Sequence, residues 1–239
     1  MAERRPFSVD IPGLLEALTH QFPEPLLCVR ELIQNAADAK ARRIDVHAAY
    51  DGRRGLFRLG VRDDGQGMGR EEVETYLTIG LSHKDPRQHR GRFGIGKLSP
   101  YALGISRMIV ETCDGAEAHR LTFEPDGSGQ IERGRGHVAG THVRVYKSVP
   151  RAEAQSLAER TFALVQEHCA GLPLDLRIND IPLRPLPAVS GRYVTSFEWA
   201  RGRGLLGVLA EPSYRLFGGG LLLESGTPLF GPEVAYVLD

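Results

Sequence analysis

Hydrophobic and polar residues alternate along this chain with two different periods. Over residues 14–20, 24–40 and 151–170 the apolar positions fall at helical spacing. "REEVETYLTIG" predicts a further helix, with acidic residues in its first turn. Strict alternation predicts strands in "RRIDVHAAY" and "GLFRLGVRD" and over residues 107–113, 119–124, 129–133 and 141–147. The pattern therefore predicts a mixture of helices and strands.

The last fifth of the chain differs from what precedes it. "LRPLPAVSGR" is rich in proline and is typical of a linker, and "GLLGVLAE" and "LFGGGLLLESG" beyond it are typical of strands. About 50 residues are too few for a domain with its own core. We therefore expect a first domain over residues 1–187, and a linker with the incomplete start of a second domain over residues 188–239.

Composition limits the classes of protein to consider. The 239 residues are 41% hydrophobic and 25% charged, as in an ordinary globular protein, and the formal net charge is zero. No overall field therefore draws the chain towards nucleic acid or anionic lipid, and Arg-rich "RGRGH" and "ARGRG" are interpreted as solvated loops rather than as nucleic-acid contacts. Three cysteines without metal or redox spacing, and no secretory or membrane-spanning pattern, predict a soluble cytoplasmic protein.

Three polar residues share one stripe of the helix in "ELIQNAADAKARRIDV". Glu31, Asn35 and Asp38 stand at i, i+4 and i+7, which places them on one face. Such a stripe is commonly just the solvated face of a helix. Alternatively, Glu31 polarises an attacking water and the side-chain oxygen of Asn35 is a ligand of a magnesium ion, as a hydrolase requires.

Two adjacent acids end the strand in "VRDDGQGM". Because Phe57 and Val61 point towards the core, alternation directs Asp63 inwards and Asp64 outwards. A buried carboxylate is costly without hydrogen-bond donors, and the exocyclic amine of a purine would supply one. Glycines at 65 and 67 would let the backbone approach a flat base closely. The alternative is a turn that merely ends a strand.

A glycine-rich turn occupies residues 91–99, "GRFGIGKLS". Glycines such as Gly94 and Gly96 leave backbone N–H groups uncovered, and a helix is predicted to begin directly after them, which favours an anion site. The spacing is not that of the P-loop. Lys84 and Lys97 flank the turn, which favours phosphate as the anion.

A threonine precedes the alternating strand in "GTHVRVY". Thr141, Val143 and Val145 fall on one face, so the hydroxyl of Thr141 also points inwards. It could share a water with Asp63 and a base. Alternatively, threonine is simply common in strands.

Together and in this order, the four motifs resemble those of the GHKL ATPase superfamily, which includes gyrase, heat-shock protein 90, histidine kinases and MutL. The resemblance covers residues 8 to about 185. "RELIQNAADA", "TIGLSHK", "RFGIGKLSPYALG" and "GTHVRVY" look most like the heat-shock protein 90 branch and its HtpG-like members. The resemblance to this superfamily implies an α+β fold, namely the Bergerat ATP-binding fold. This is a two-layer α/β sandwich with a mixed, mainly antiparallel sheet under helices, here followed by the start of a second α/β domain.

The same resemblance implies a role for each site residue. Glu31 is the catalytic residue, acting as general base for the water that attacks the γ-phosphate, and Asn35 is the magnesium ligand. Asp63 reads adenine with the help of Thr141. The implied ATP-binding residues are Asn35, Asp38, Asp63, Gly67, Met68, Ser82, Lys84, Arg92, Phe93, Gly94, Ile95, Gly96, Lys97 and Thr141.

The function expected from the resemblance is that of a magnesium-dependent ATPase. We expect the ATP-binding and ATP-hydrolysing N-terminal domain of a heat-shock protein 90-like chaperone, which ATP drives through lid closure and dimerisation. Its expected partners are ATP or ADP, unfolded client proteins and a second copy of the chain, with no membrane and with nucleic acid unlikely. Hydrolysis by residues 1–239 should be slow, because a cation for the γ-phosphate should come from the following domain, which is incomplete over these residues.

Three rival functions remain. The first alternative is the ATPase domain of a MutL- or MORC-like DNA-processing protein. A histidine kinase fits less well, because its catalytic domain normally follows a phosphoacceptor helix pair and here the motifs begin near residue 31. A nucleotide-binding module without turnover has no need of a base such as Glu31.

Overall fold

The computed structural model describes residues 10–19, 24–78, 96–183, 194–199, 202–208, 213–227 and 234–238. The helices are α1 Ile11–Thr19, α2 Cys28–Asp38, α3 Arg70–Leu77 and α4 Arg151–Cys169, with 3-10 helices at Pro25–Leu27 and Gly96–Leu103. The strands are β1 Arg43–Asp51, β2 Leu56–Asp63, β3 Arg107–Cys113, β4 Ala118–Phe123, β5 Gly129–Arg133, β6 Gly140–Ser148, β7 Asp175–Ile178, β8 Ile181–Pro182, β9 Val194–Trp199, β10 Gly202–Val208, β11 Tyr214–Gly218, β12 Leu221–Gly226 and β13 Val234–Leu238.

Eight strands form one large sheet in the order β5-β4-β3-β6-β2-β1-β7-β8. Every neighbouring pair in it is antiparallel except β1 and β7, which run parallel. Helices α2 and α4 pack on the sheet and on each other. The predicted α+β class, with a mixed and mainly antiparallel sheet under helices, is confirmed.

The two faces of the large sheet differ as the alternation predicts. On the helix side Phe57, Leu59 and Val61 of β2 are buried together with Ile33 of α2. On the opposite side of the same strand Arg58 is exposed to solvent. Burial of one face gives the sheet its register, because a shift by one residue would expose every one of these apolar side chains. We call the face that carries Arg58 the outer face.

The described residues beyond 193 form a second sheet of five strands, in the order β12-β11-β13-β10-β9. Leu221 and Leu222 of β12 are buried, and β12 lies against α4. In this part of the chain the described residues contain strands and no helix. The predicted linker, residues 183–192, lies outside the described residues except for Leu183, so the division at residue 187 stays a prediction. No helix among the described residues is long and apolar enough to cross a membrane.

Candidate active site

Helix α2 is fixed at its C-terminal end to the turn that follows β2. The N–H of Gln66 donates to the carbonyl of Ala39 at 2.9 Å. In the other direction, the N–H groups of Arg42 and Arg43 donate to Oδ1 of Asp64 at 2.7 and 2.8 Å. These contacts place the C-terminal end of the partly buried stripe of Glu31, Asn35 and Asp38 beside the strand end.

The two adjacent acids of this turn have opposite environments. Oδ1 of Asp63 accepts hydrogen bonds from the N–H of Gly65 at 2.9 Å and of Thr141 at 3.2 Å. Burial raises the pKa of Asp63, although these two hydrogen bonds act in the opposite direction. Asp64 is exposed, and the hydrogen bonds from Arg43 and Arg42 lower the pKa of its carboxyl group. The inward Asp63 and outward Asp64 agree with the alternation of the strand.

Gly67, in the turn after β2, is needed for a reason that the sequence analysis did not give. Its φ is +68°, and a Cβ added there would lie 1.8 Å from the carbonyl oxygen of Cys113 in β3. Only glycine fits such a close approach. The glycine is therefore required by the packing of the turn against β3, whether or not a base lies beside it.

Four polar groups beside Asp63 form a partly buried network: the hydroxyls of Thr112 and Thr141, the N–H of Met68 and the carbonyl of Gly140. Oγ1 of Thr112 accepts from the N–H of Met68 at 2.8 Å and lies 3.0 Å from Oγ1 of Thr141 and 3.3 Å from the carbonyl of Gly140. Thr112 and Thr141 stand opposite each other on β3 and β6. The network connects Met68 and Thr141, both predicted to contact the base, through a residue that the sequence did not single out.

The other end of the α2 stripe lies beside the 3-10 helix Gly96–Leu103. Oε2 of Glu31 is 3.2 Å from the position that a Cβ would take at Gly96, and Oε1 accepts from Nη1 of Arg30 at 3.1 Å. Glu31 and Ala39 are eight residues apart, which is about 12 Å along a helix. Helix α2 thus joins the glycine turn at one end to the Asp63 turn at the other.

Lys97 has a position that its spacing did not predict. Its Nζ donates to the carbonyls of Thr75 at 3.0 Å and Thr78 at 2.6 Å, at the C-terminal end of α3, and lies 5.7 Å from the ring centroid of Tyr76. Burial lowers the pKa of Lys97 to about 8. A cation at the end of a helix satisfies carbonyls that lack partners there. In this conformation Lys97 holds α3 and is not brought together with Glu31 or Asp63.

Six of the predicted ATP-binding residues belong to the segment between α3 and the 3-10 helix at Gly96. Ser82, Lys84, Arg92, Phe93, Gly94 and Ile95 lie outside the described residues. Most of the described residues of the predicted set fall into two groups that α2 connects, while Asn35 and Asp38 lie on α2 itself and Lys97 contacts the end of α3. One contains Glu31 and Gly96, and the other contains Asp63, Gly67, Met68 and Thr141.

Thr112 and Arg30 are the polar residues that the sequence analysis missed. Thr112 is 4% exposed and alternates with buried Met108 and Val110 along β3, so its inward direction could have been predicted from the alternation. Its pairing with Thr141 could not, because it depends on which strands are neighbours. Arg30 directly precedes Glu31, and adjacent residues of a helix do not normally face each other. Their contact could therefore not be predicted from the spacing.

The comparisons with known proteins agree with this geometry. Residues 25–128 match the model of the family described as histidine kinase-, DNA gyrase B-, and HSP90-like ATPase. This range includes α2, the Asp63 turn and the 3-10 helix at Gly96. The match supports the GHKL ATPase superfamily that the motifs resemble, and ATPase activity in general as the activity of that class.

The similar proteins found by sequence are named DNA mismatch repair protein MutL. The protein from Bradyrhizobium diazoefficiens is 34% identical over 112 residues, which are 45% of this chain and 18% of the relative. That from Xylella fastidiosa is 27% identical over 198 residues, 78% of this chain and 31% of the relative. That from Thermosipho africanus is 29% identical over 102 residues, 41% of this chain and 17% of the relative. The chain thus spans less than a third of the length of these relatives.

These names correct two expectations. The prediction of a heat-shock protein 90-like chaperone was wrong, because the relatives carry the name MutL, which matches the alternative stated with it. The associated expectation of client proteins as partners, with nucleic acid unlikely, was wrong for the same reason. The motifs that suggested the chaperone branch predict ATP chemistry and not the partner, and a net charge of zero does not describe the charge of one surface.

Proposed function

We propose that residues 1–187 are the ATP-binding and ATP-hydrolysing domain of a MutL-like DNA-processing protein. The observation that carries this proposal is the position of α2. The helix brings Glu31 beside Gly96 at one end and contacts the Asp63 turn at the other, over a length that suits an extended nucleoside triphosphate. The names of the relatives supply the DNA part of the proposal.

The base end of the proposed site reads adenine. Asp63 presents a carboxylate oxygen that accepts from the exocyclic amine, and its other oxygen is held by the N–H groups of Gly65 and Thr141. Two backbone hydrogen bonds fix the carboxylate before the ligand arrives, which reduces the entropy that binding must offset. Thr141 adds a hydroxyl to the same edge of the base.

The phosphate end carries the hydrolysis. Glu31 takes a proton from a water molecule as the water oxygen bonds to the γ-phosphorus, while the bond to the bridging oxygen breaks and ADP leaves. The partly buried carboxylate of Glu31 is held in place by Arg30. Gly96 has no side chain that would press on it.

Magnesium fits this site if the nucleotide supplies most of the ligands. Among the described residues no group of three or more His, Cys, Asp or Glu could hold a metal ion. Magnesium commonly binds to one or two protein oxygens together with substrate phosphates and waters. The amide oxygen of Asn35, one turn from Glu31 on the same stripe, would be such a protein ligand, and the bound ion would neutralise charge on the phosphates.

The outer face of the large sheet offers a place for DNA phosphates. A cavity of about 430 Å³ there is lined by Arg54, Arg107, Arg120 and Arg144, and none of its described lining residues is acidic. Each arginine also has a carboxylate partner nearby: Arg120 and Arg144 pair with Glu111, Arg107 with Glu124 and Arg54 with Asp51. Arg54 and Arg107 have the more exposed side chains and the longer ion-pair distances, 3.9 and 3.1 Å, so they are the arginines best able to turn towards a phosphate.

We expect the chain to hydrolyse ATP and to bind duplex DNA through this outer face. Replacing both Arg54 and Arg107 by alanine should weaken DNA binding and reduce the slope of log affinity against log salt by about 2, because about 0.9 of slope is lost for each phosphate contact. ATP hydrolysis without DNA should be unchanged, since both arginines lie on the face away from α2. Fluorescence anisotropy at several salt concentrations measures the first effect, and phosphate release measures the second.

The matched control is the double variant Arg53→Ala and Arg70→Ala, which removes the same charge from exposed positions that do not line the cavity. It should leave the salt slope nearly unchanged. An equal loss of DNA binding in both double variants would show that only total charge matters. The absence of DNA binding by the wild-type chain at low salt would contradict the DNA part of the proposal.

A further inference from the structure

Glu111 is the carboxylate that joins two of the four arginines of the outer-face cavity. It stands on β3 between Val110 and Thr112, whose side chains are buried on the helix side, so its own side chain lies on the outer face. Its Oε1 accepts from Nη1 of Arg120 at 2.7 Å, and its Oε2 lies 2.5 Å from Nη2 of Arg144. One carboxylate thus bridges arginines on β4 and β6, the two strands that flank β3.

The guanidinium of Arg144 is poorly satisfied by this arrangement. Its Nε and Nη2 are buried and make no hydrogen bond with any described residue, although Nη2 lies close to the Glu111 carboxylate. Buried donors without acceptors are costly. In a well-formed pair, an arginine donates two parallel hydrogen bonds to two oxygens of a carboxylate or a phosphate. Nε and Nη2 form one edge of the guanidinium, and this edge lacks such a partner.

A backbone phosphate has the shape that this edge of Arg144 requires. Its two non-bridging oxygens would accept from Nε and Nη2 together, and one of them would also reach Arg120, since both arginines line the same cavity. The ion pair of Arg120 with Glu111 joins side chains that are each 39% exposed. Pairs as exposed as this contribute little to stability, so exchanging the carboxylate for a phosphate costs the fold little.

We propose that Glu111 is an internal competitor for DNA, whose carboxylate occupies a phosphate subsite formed by Arg120 and Arg144. The inference rests on the proposed function and divides the arginines of the cavity into two pairs. Arg54 and Arg107 are available to phosphates in the free protein. Arg120 and Arg144 become available only when the carboxylate between them is displaced or removed, so Glu111 limits the affinity of this surface for DNA.

The test removes the charge of Glu111 and keeps its size. Glu111→Gln retains an oxygen that accepts from Arg120 but no longer competes with a phosphate. It should bind a fluorescent DNA duplex about tenfold more tightly than wild type or better, as expected for hydrogen bonds between charged groups. The slope of log affinity against log salt should steepen by about 0.9, for one added phosphate contact, so the gain should shrink about 3.5-fold between about 50 and 200 mM salt. Fluorescence anisotropy at several salt concentrations measures both effects.

Two further variants separate the subsite from overall charge. Glu132→Gln removes the same charge from the same face, on β5 and two strands from Glu111, and should change affinity and slope little. The double variant Glu111→Gln with Arg144→Lys keeps the positive charge at position 144 but lacks the two-nitrogen edge, so it should lose most of the gain. A full gain in the double variant would show that Arg144 does not form the subsite.

The outcomes distinguish this inference from the function on which it rests. If neither wild type nor Glu111→Gln binds duplex DNA at low salt, the DNA part of the proposed function fails and the inference fails with it. If wild type binds and Glu111→Gln binds no better than Glu132→Gln, the inference is overturned while the proposed function stands. Should thermal melting show that Glu111→Gln does not fold, Glu111→Asp is one methylene too short to bridge both arginines and should still bind DNA more tightly than wild type. Wild-type affinity in that variant would overturn the inference.

Discussion

Replacing Asp63 by asparagine should lower the affinity for both ATP and ADP by roughly three orders of magnitude or more, because a site built to accept a hydrogen bond then presents a donor. The local geometry determines which way the new amide points. In the wild type, Oδ1 accepts from the N–H groups of Gly65 and Thr141. An asparagine keeps both bonds only with its oxygen in that place, so its NH₂ group takes the position of Oδ2 and meets the amine of adenine donor to donor.

Calorimetric titration of the variant with ATP and ADP measures this loss. Asp64→Asn is the matched control, since Asp64 is exposed and accepts from the N–H groups of Arg42 and Arg43 with an oxygen that asparagine also has. We expect wild-type affinity in the control and a folded Asp63→Asn variant by circular dichroism. Unchanged affinity in the folded Asp63→Asn variant would show that Asp63 does not contact the base.

Removing the carboxylate of Glu31 should separate binding from turnover. Glu31→Ala should retain ATP affinity and lose hydrolysis by roughly two to four orders of magnitude, which is the usual contribution of a positioned general base. Binding is retained because the Asp63 turn lies at the opposite end of α2, and the helix itself is held by buried apolar residues such as Ile33. Single-turnover hydrolysis and nucleotide titration on the same preparation measure the two effects.

Glu31→Gln is the informative companion variant. It keeps the size and the hydrogen-bonding oxygen next to Arg30 but cannot take a proton at neutral pH. We expect it to be as slow as Glu31→Ala. Wild-type turnover in either variant would mean that Glu31 belongs to the solvated face of a helix, which was the alternative interpretation of its spacing.

The base end of the site was the part most accessible to sequence reasoning. A strand with a buried face has a period of two, so Phe57 and Val61 fix the direction of Asp63, and the structure agrees. The same rule directed Thr141 inwards. It did not identify Thr112 as their partner, because the pairing of β3 with β6 joins residues 29 positions apart in the chain.

Other parts of the site depend on geometry that spacing does not contain. Lys97 follows the glycine turn at a distance suited to a phosphate, yet it lies in a 3-10 helix that directs its ammonium to the carbonyls at the end of α3. Gly67 was predicted to be needed because it lets the backbone approach a ligand base closely. The close packing of its turn against β3 already requires a glycine at this position. The motifs could not distinguish chaperone relatives from mismatch-repair relatives, because they predict ATP chemistry and not the partner.

The central claim is that a single nucleotide lies along α2, with its base at Asp63 and its γ-phosphate at Glu31. Backbone amide shifts in a nuclear magnetic resonance titration test this most directly. Both ADP and ATP with magnesium should shift the amides of Gly65, Met68 and Thr141, and ATP should shift the amide of Gly96 more than ADP does. Shifts confined to the outer face, for example at Tyr146 in the lining of the arginine cavity, or no shifts at millimolar nucleotide, would contradict the account.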